Sequence, residues 1–557
     1  MPDVDVKSLI DRHQRMLSDR LNYERDWRLL AEYLQPTKLP PLTVESEPGS
    51  RKTTFIYDSE GMTAPTKLAA NLQGNLVNPS QKWQSIKAWP PELNERNTAQ
   101  NWCEYVSTGV NWAIVSSNFP NVAGEVLHEA PIFGTGTMLR FKKRPERPGE
   151  RGKLLWEGVP IGTYCIQEDA EGRVDTLVRK VKLSLRAAYQ NWGEAIGPDL
   201  VKEFLKRPDK LETFTQWIMP RQDRNPTKMD RKNMPWANLW MWEEKAHLIH
   251  EGGFRHNPII CLRWRKATNE VWGTGQGHLA LPDIRTLNRI TELKLLGVAI
   301  DIAPVLFALQ GRVVGDLIWE PSAVNWEKQA NAVRTMGSGG RIDIATLQED
   351  RLITKIRQVF FLDQIEALPP LTEGPPGGMS PYEIAKRYEQ YYKLLGPIYG
   401  RLTTEFLQPI VEGTFWSLWD DGMLPPPPPE LQGAELHIQY EGPLSRAQRA
   451  DDVTGIERWL MWAQSVINMT GTQDVMDQVD LDEMGLTVAQ VVGMPARITR
   501  GKEIIAQIRQ QRAAAMQAQA QAQAAMSATQ AMKNAAPMVK ALQPAGGGAG
   551  AAAGGQA

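Results

Sequence analysis

Apolar residues recur at helical spacing through most of the first third of the chain. From Val6 to Leu34 they fall every three or four positions, and Gln35-Pro36 interrupts the pattern. A second run, which Asp58-Ser59 can cap, continues to Leu76, and a third covers residues 98–117. This part of the chain is therefore predicted to be largely helical.

Alternation of apolar and polar residues replaces the helical spacing from about Gly134. Residues 159–167 and 174–185 are predicted to be strands, joined by a hairpin at 168–172. The segments 247–250 and 259–264 repeat the pattern on either side of a predicted turn at 251–254. We expect a β-rich or α+β layer here.

Two more helices are predicted on either side of a small β insertion. Leu281-Pro282-Asp283 opens the first, which ends at Pro304, and the second covers residues 345–368. Between them lie a β-like segment and a glycine-rich patch at 337–340. The two helices are expected to pack as neighbours, with the insertion projecting at one end.

The run from Ser380 to Gly422 has the clearest start and stop signals in the chain. Ser380, Pro381 and Glu383 form an N-terminal capping pattern, and Asp420-Asp421-Gly422 ends the helix. Prolines inside the pattern remove backbone hydrogen bonds, so we expect bends at Gly396-Pro397 and Pro409. A glycine- and proline-rich loop precedes the run, and a stiff spacer of five prolines follows it.

The C-terminal part changes from ordinary helices to a biased composition. A helix capped by Ser445 is predicted to Ile467, and a tail helix begins at Thr499. Residues 507–532 are rich in alanine, glutamine and methionine, which favours helix but provides a weak packing face. The Gly/Ala-rich end, residues 544–557, is expected to be disordered.

Composition places the chain among globular proteins without a strong basic excess. Its 557 residues carry 63 Lys+Arg and 64 Asp+Glu, so any grip on nucleic acid must be local or weak. The three cysteines are far apart, which fits a reducing compartment better than a disulfide framework. The N-terminus does not look like a signal peptide, and the longest apolar run is interrupted by Asp301 and Pro304, so no membrane association is expected.

Motifs for catalysis are weak or missing. No Walker A pattern is present, and the glycines at 273–277 are better explained as a turn before a helix than as a phosphate loop. His247, His250, His256 and Cys261 offer zinc-ligand chemistry, but residues three apart on a strand point to opposite faces. An acidic cluster at 474–483 and a basic run at 142–153 are expected to be solvated surface. Neither an enzyme activity nor a metal or other cofactor is therefore expected.

Several segments occur in an order and spacing typical of one family. They are Tyr57-Asp-Ser-Glu-Gly61, Lys67-Leu-Ala-Ala70, the strand at 159–164, Gly273–Gly277 leading into Leu281-Pro-Asp-Ile284, Leu395-Gly-Pro397 with Glu405 and Pro409, Gly422-Met-Leu-Pro425, and Gly442-Pro-Leu444 with Gln448-Arg449. With them the chain resembles, over most of its length, the head-to-tail connecting (portal) proteins of T7-like short-tailed bacteriophages. Glu60 and the long proline run depart from the family pattern.

The resemblance implies an α+β, predominantly helical subunit with wing, stem, clip and crown and a helical C-terminal barrel segment. The implied divisions are 1–280 wing, 281–304 stem, 305–344 clip, 345–368 second stem helix, 369–380 tunnel loop, 381–424 kinked helix joining stem to wing, 425–498 wing return and crown, 499–535 crown or barrel helix, and 536–557 disordered tail.

The resemblance also implies a function and site residues. About twelve subunits would close a ring at one capsid vertex, through which double-stranded DNA is packaged and ejected. Expected partners are non-specifically bound DNA, the terminase large subunit, a tail adaptor protein, and the major capsid and scaffolding proteins. The protein would be in the virion, and in host cytoplasm during assembly. The expected tunnel loop contains Leu371, Thr372, Glu373, Gly374, Gly377, Gly378 and Met379, the hinge Gly396 and Pro397, and the clip Arg312, Asp316, Trp319 and Lys328.

Two other functions remain open at this point. The histidine and cysteine residues suggest a metal-dependent nucleic-acid-processing enzyme, and the Ala/Gln-rich tail suggests a scaffold or internal-core virion protein.

Overall fold

The fold is an α+β mixture in which helix predominates over strand. The computed structural model describes residues 5–38, 53–143, 152–228, 230–302, 342–366, 395–440 and 443–470, the strands between 305 and 336, and short pieces at 387, 484–485, 488, 508–512, 514–518, 521 and 523. The acidic cluster at 474–483 and most of the Ala/Gln-rich tail lie outside these residues.

Four helices form the N-terminal body: α1 (Val6–Leu34), α2 (Glu60–Leu76), α3 (Asn97–Val115) and α4 (Phe119–Phe133). The first three confirm the predicted runs. Asp5 caps α1 by accepting hydrogen bonds from the backbone of Lys7 and Ser8. The fourth helix was not predicted: it begins directly after the polar segment that ends α3, with Pro120 in its first turn, where a missing backbone N–H costs nothing.

A three-stranded antiparallel sheet, in the order β3-β2-β9, packs on α4. Its strands are β2 (Thr135–Lys142), β3 (Leu154–Val159) and β9 (Ile259–Arg263). β2 is buried almost throughout and pairs with both neighbours. This sheet, α1 to α4 and parts of the later helices enclose the largest hydrophobic core.

A five-stranded antiparallel meander forms the second sheet. Its strands are β4 (Tyr164–Glu168), β5 (Val174–Ser184), β6 (Leu211–Pro220), β7 (Trp236–Trp242) and β8 (His247–Phe254). One face packs on the first half of α1. The other face packs on α5 (Leu185–Trp192) and α6 (Pro198–Lys206).

The predicted β-rich layer is thus present, with two corrections. The hairpin at 168–172 is confirmed, but Val159 ends β3 and residues 160–163 form a turn rather than part of a strand. Residues 251–254 belong to β8 instead of a turn, and β8 and β9 lie in different sheets. The local alternation indicated strands correctly and could not indicate which distant strand each one pairs with.

Two helices, α7 (Gln276–Ile302) and α8 (Ile342–Val359), flank the predicted β insertion. The insertion contains two antiparallel ribbons, β10 (Val305–Ala308) with β13 (Val333–Met336), and β11 (Val313–Val314) with β12 (Trp326–Glu327). Helix α7 begins six residues before the predicted Pro282, which lies inside it. After α8, Phe361 adopts a left-handed φ of 57° and a short helix, α9 (Leu362–Glu366), follows.

The glycines before α7 allow close backbone approach. A side chain at Gly273 or Gly275 would collide with the backbone of Gly134 or Pro131 at the end of α4. These glycines therefore join a strand to a helix against another element, as the turn interpretation predicts.

Three further elements follow α9 along the chain: α10, a two-stranded ribbon and α11. Helix α10 comprises residues 395–401, a π-helical part Leu402–Leu407 and Gln408–Asp420. It ends at the predicted stop, where Gly422 has φ 63°. Strand β14 (Glu435–Tyr440) pairs with β1 (Gln84–Trp89), and α11 (Pro443–Thr470) begins two residues before the predicted cap at Ser445.

Candidate channel and ring-forming surfaces

The expected tunnel-loop residues, Leu371 to Met379, and the expected clip residues, Arg312, Asp316, Trp319 and Lys328, lie outside the described residues. Gly396 and Pro397 lie in the helical stretch 395–401, but residues 388–394 before them are outside the described part, so the expected bend stays a prediction. The structure describes the helices that precede and follow these segments in the chain, α7 to α10.

Helices α7 and α8 are antiparallel neighbours. Near the start of α7, Ile284 lies so close to Gly61 in α2 that an added Cβ at Gly61 would come within 2.8 Å of it. Near the end of α8, Nε of Arg357 donates to Glu60, the first residue of α2, at 3.0 Å. Because the start of α7 and the end of α8 both contact the N-terminus of α2, the two helices run in opposite directions and their other ends carry the β insertion.

A nearly buried carboxylate joins the middle of the pair. Glu349 in α8 accepts a hydrogen bond from the Thr291 hydroxyl at 3.0 Å and pairs with Nζ of Lys294 at 2.5 Å. Charged hydrogen bonds between partly buried groups are stronger than those at an exposed surface. This contact fixes the register of α8 against α7.

Beyond Glu349, large apolar side chains of both helices face away from the described body. Leu296 is 58 % exposed, Leu347 60 % and Ile302 79 %. Further exposed members are Leu293 and Leu295 on α7 and Ile344 on α8. Exposed apolar side chains grouped on one part of a protein are typical of an interaction surface. We call this group the stem surface, after the stem helices that the family resemblance predicts here.

Exposed charges on the two helices are mixed in sign. On α7, Nη1 of Arg289 pairs with Glu292 at 2.6 Å, and on α8 the exposed residues include Asp343, Asp350, Arg351 and Lys355. A surface that alternates in sign neutralises few phosphates, so it gives little salt-dependent grip on DNA.

Ion pairs hold the chain just before the expected tunnel loop. Glu366, the last residue of α9, accepts from Nζ of Lys67 at 3.2 Å and from Nη2 of Arg357 at 3.4 Å. Arg357 also binds Glu60. Glu366, which precedes the expected tunnel loop, is thus connected to both α2 and α8.

A second and more buried set of ion pairs holds the chain after the expected loop. Arg263 at the end of β9, whose side chain is 1 % exposed, binds Glu405 of α10 and Glu168 of the β4–β5 hairpin, with Nη2 to Oε1 of Glu405 at 2.6 Å. Lys266 also binds Glu168, and Arg401 binds Glu405. Burial opposes the charge of Arg263, but the hydrogen bonds with Glu405 outweigh it and raise the pKa of the guanidinium above its ordinary value.

A buried arginine also fits against α10. Arg140 of β2 donates to the backbone carbonyls of Pro409 and Asn257, each at 3.2 Å. Burial lowers the pKa of Arg140 to about 10. Gly413 leaves the space that the guanidinium occupies, because an added Cβ would coincide with it.

A π-helical segment, Leu402–Leu407, lies just before Pro409, where the sequence predicts a bend. The Gln408 N–H donates to the carbonyl of Thr403, five residues back, and the next residue is the proline, which has no N–H. Glu405 lies within this segment. Glu405 is part of the family pattern in the sequence, whereas Arg263 was not singled out; its signal is a single arginine at the end of an otherwise apolar strand.

The histidines and the cysteine considered as metal ligands have separate surroundings. His247 contacts the Ala195 carbonyl, and His256 stacks on Trp416 with its ring 5.2 Å away. Cys261 is buried and accepts from Thr137, and burial raises the pKa of its thiol to about 12. Among the described residues, no group of three or more His, Cys, Asp or Glu side chains is arranged to hold a metal ion.

Two bacteriophage proteins with similar sequences are named as portal proteins. The chain is 26 % identical over 522 residues to the "Probable portal protein" of Bordetella phage BPP-1, with 92 % of each chain covered. It is 23 % identical over 551 residues to the "Portal protein" of Salmonella phage epsilon15, with 96 % of each covered.

A solved structure, "Virion of native gene transfer agent (GTA) particle", aligns with 83 % of this chain and 99 % of its own at 10 % identity and a TM-score of 0.30. No described helix has both the length and the apolar content required to cross a membrane. The family model for "Bacteriophage head to tail connecting protein" matches residues 6–499, and the chain belongs to that family.

Proposed function

We propose that this chain is a portal subunit, and that copies of it close into a ring at one capsid vertex. The ring provides the channel through which double-stranded DNA is packaged and later ejected. Family membership supports the connector role. The observation that carries the channel proposal is the anchoring of residues 367–394 on both sides, at Glu366 and at Glu405.

Anchoring both sides suits a loop that must contact moving DNA. A segment that deflects under load returns to its position only if its ends are held by the body of the protein. Glu366 connects one end to α2 and α8, and Arg263 connects the other to β9 and the hairpin. In this proposal the expected tunnel loop, Leu371 to Met379, projects into the channel between these points.

The stem surface is the proposed contact between neighbouring subunits. A ring requires two different faces of the subunit that match each other and a rotation that closes. Leu296, Ile302 and Leu347 are apolar and exposed, so their burial against the next subunit would favour association. We propose about twelve subunits, the number implied by the family resemblance.

The remaining parts of the proposal concern partners and location. The β insertion between α7 and α8 is the proposed clip, which would contact first the terminase large subunit and then a tail adaptor protein. The wing would contact the major capsid and scaffolding proteins. The subunit would assemble in host cytoplasm and remain in the virion, and a separate ATPase would drive translocation, since this chain has no Walker A pattern.

The decisive experiment is native mass spectrometry of the purified chain together with negative-stain imaging. A closed ring with a central hole is expected. A monomer or an open filament under all conditions would overturn the proposal, and a scaffold or internal-core role would then be favoured.

A second experiment separates the channel from the ring. Deletion of Glu373 to Met379 is expected to leave the ring intact and to impair DNA packaging. Failure of the deleted chain to form rings would instead show that the loop is needed for assembly.

A further inference from the structure

An apolar groove lies between α10 and the β1–β14 ribbon, away from the stem surface. It has a volume of about 490 Å³ and is lined mainly by aromatic and aliphatic side chains, among them Trp102, Phe415, Trp416, Trp419, Leu436 and Ile438. Trp416, Trp419 and Leu436 are each more than a third exposed, so the groove opens to the surface. An aromatic groove of this size is typical of a binding site.

The direction of the backbone groups of β14 follows from its partner strand. The N–H groups of Ile86 and Ala88 in β1 donate away from β14, to the Ser107 hydroxyl at 2.8 Å and to the Asn94 side chain at 2.9 Å. Ile86 lies opposite Ile438, and Ala88 lies opposite Leu436. In an antiparallel pair, residues opposite each other both point toward or both point away from the partner strand. Leu436 and Ile438 therefore direct their N–H and C=O groups to the outer edge of β14.

The two edges of this ribbon differ. Ser107 and Asn94 cover the outer edge of β1 with side-chain hydrogen bonds. No hydrogen bond from another described residue reaches the outward backbone groups of Leu436 or Ile438. An uncovered strand edge is a template for another strand, and natural proteins usually protect such edges. Here the uncovered edge lies beside an apolar groove.

The charge of the groove indicates what kind of strand fits. Among the described residues that line the groove, Glu412 alone is charged, and its carboxylate accepts from the Gln408 amide at 2.6 Å. Within the described part of the chain, Glu412 forms no ion pair with a lysine or arginine. A basic side chain would complement the Glu412 carboxylate.

We propose that the outer edge of β14 binds an extended segment of another protein as a third strand. The segment alternates apolar and polar residues and carries a basic side chain. Its backbone would bond to Leu436 and Ile438, its apolar side chains would lie toward Trp416 and Trp419 in the groove, and its cation would face Glu412. Main-chain hydrogen bonds supply affinity in such a strand addition, and the side-chain pockets supply specificity. This inference goes beyond the channel function and does not rest on it.

The test uses the full chain and a fluorescein-labelled synthetic nonapeptide of alternating valine and threonine with a central lysine. Fluorescence anisotropy is expected to show saturable binding. A peptide with glutamate in place of lysine should bind at least about tenfold more weakly, and so should one with N-methylated backbone, which cannot donate to the edge. Absence of binding of the lysine peptide to the wild-type chain would overturn the proposal.

Variants locate the site. Leu436→Pro removes an N–H on the outer edge and no ladder bond to β1, so it should weaken binding at least about tenfold. Glu412→Lys should reverse the preference between the lysine and glutamate peptides. This variant leaves the backbone of β14 unchanged, so it tests the charge contact separately from the strand edge. His437→Ala is the matched control, because the backbone of His437 faces β1 and its side chain is exposed; its affinity should match the wild type.

Binding that none of these variants alters would overturn the proposal, since the peptide would then lie elsewhere. If the peptide does not bind and Leu436→Pro changes the number of subunits in the assembly, the edge is an interface between copies of this chain, which also overturns it. If the chain forms rings but does not bind the peptide, only the strand-edge proposal is wrong. If the chain binds the peptide but never forms rings, only the portal proposal is wrong.

Discussion

The guanidinium of Arg263 and the carboxylate of Glu405 form an ion pair between residues 142 positions apart, with Nη2 and Oε1 separated by 2.6 Å. Glu405 also accepts from the Arg263 backbone N–H at 2.9 Å. A strand end and a π-helical turn are therefore held together by both the backbone and the side chain of one residue.

Glu405→Gln is expected to destabilise the folded chain by about 3 kcal/mol, because it leaves the buried Arg263 charge with only Glu168 as a carboxylate partner. The measurement is the free energy of unfolding in urea. Arg401→Gln is the control, since Arg401 binds the same carboxylate from a more exposed position and should cost less than about 1 kcal/mol. Equal effects of the two changes would contradict the assignment of Arg263 as the main partner.

Gly413→Ala is expected to destabilise the chain, because the methyl group would occupy the position of the Arg140 guanidinium. Gly400→Ala, in the same helix, has open space around its Cβ and should be neutral or stabilising by up to about 1 kcal/mol. Thermal unfolding of both variants measures the difference. A Gly413→Ala chain as stable as the Gly400→Ala chain would show that Arg140 is not fixed against α10.

Stability is expected to fall in acid partly through Glu243. Burial raises the pKa of this carboxyl, but the hydrogen bond from His13 at 2.5 Å and the charges of His13 and Lys180 lower it from 4.5 to about 2. Because the folded pKa lies below the unfolded value, the contribution is present above pH 4.5 and is lost as the pH falls toward 2.

Unfolding free energies of wild type and Glu243→Gln should therefore differ at pH 6 and converge toward pH 2. Glu244→Gln is the control at the adjacent exposed position and should show no such convergence. A constant difference across this pH range would contradict the assigned contact between His13 and Glu243.

The three cysteines are expected to be unreactive in the folded chain. Burial raises the thiol pKa to about 11 for Cys103 and Cys165 and to about 12 for Cys261. At pH 8 a disulfide reagent such as DTNB should react only after denaturation, when three thiols are released. Thr108→Cys, exposed on α3, should add one fast-reacting thiol; fast reaction of the wild-type chain would contradict the described burial.

Leu296→Glu is expected to prevent or weaken ring formation, because it places a charge in the proposed contact between subunits. Leu205→Glu alters a side chain that is 76 % exposed on α6, away from the stem surface, and should leave rings intact. Size-exclusion chromatography with light scattering measures both. Rings that survive Leu296→Glu but not Leu205→Glu would move the interface to α6.

Much of the helical framework was predictable because caps and stops are local. Asp5 and Leu34 bound α1 where the pattern placed it, and Gly422 follows the end of α10 as predicted. Helix α4 was not predicted, because a proline such as Pro120 can follow one helix or begin the next, and only the packing of Phe119 and Val126 in the core decides between the two.

Contacts between distant segments were not predictable from a single sequence. The pairing of β9 with β2, and of Arg263 with Glu405, depends on which surfaces meet after the chain folds. An arginine at the end of an apolar, buried strand indicates a buried partner without identifying it. The sequence likewise does not indicate which backbone groups of β14 face outward. Their direction follows from the hydrogen bonds of β1 to Ser107 and Asn94 on the other side of the ribbon.

The π-helical turn at Leu402–Leu407 also sets the phase of α10. One residue more than an α-helical turn rotates everything on one side of it by about 100° relative to the other side. Leu395 and Ile398 before the turn, and Ile410 and Val411 after it, all reach the core only with this offset. Deletion of one residue here would leave a continuous helix. It would rotate the part of α10 before the turn by about a quarter of a revolution around the helix axis, relative to the part after it.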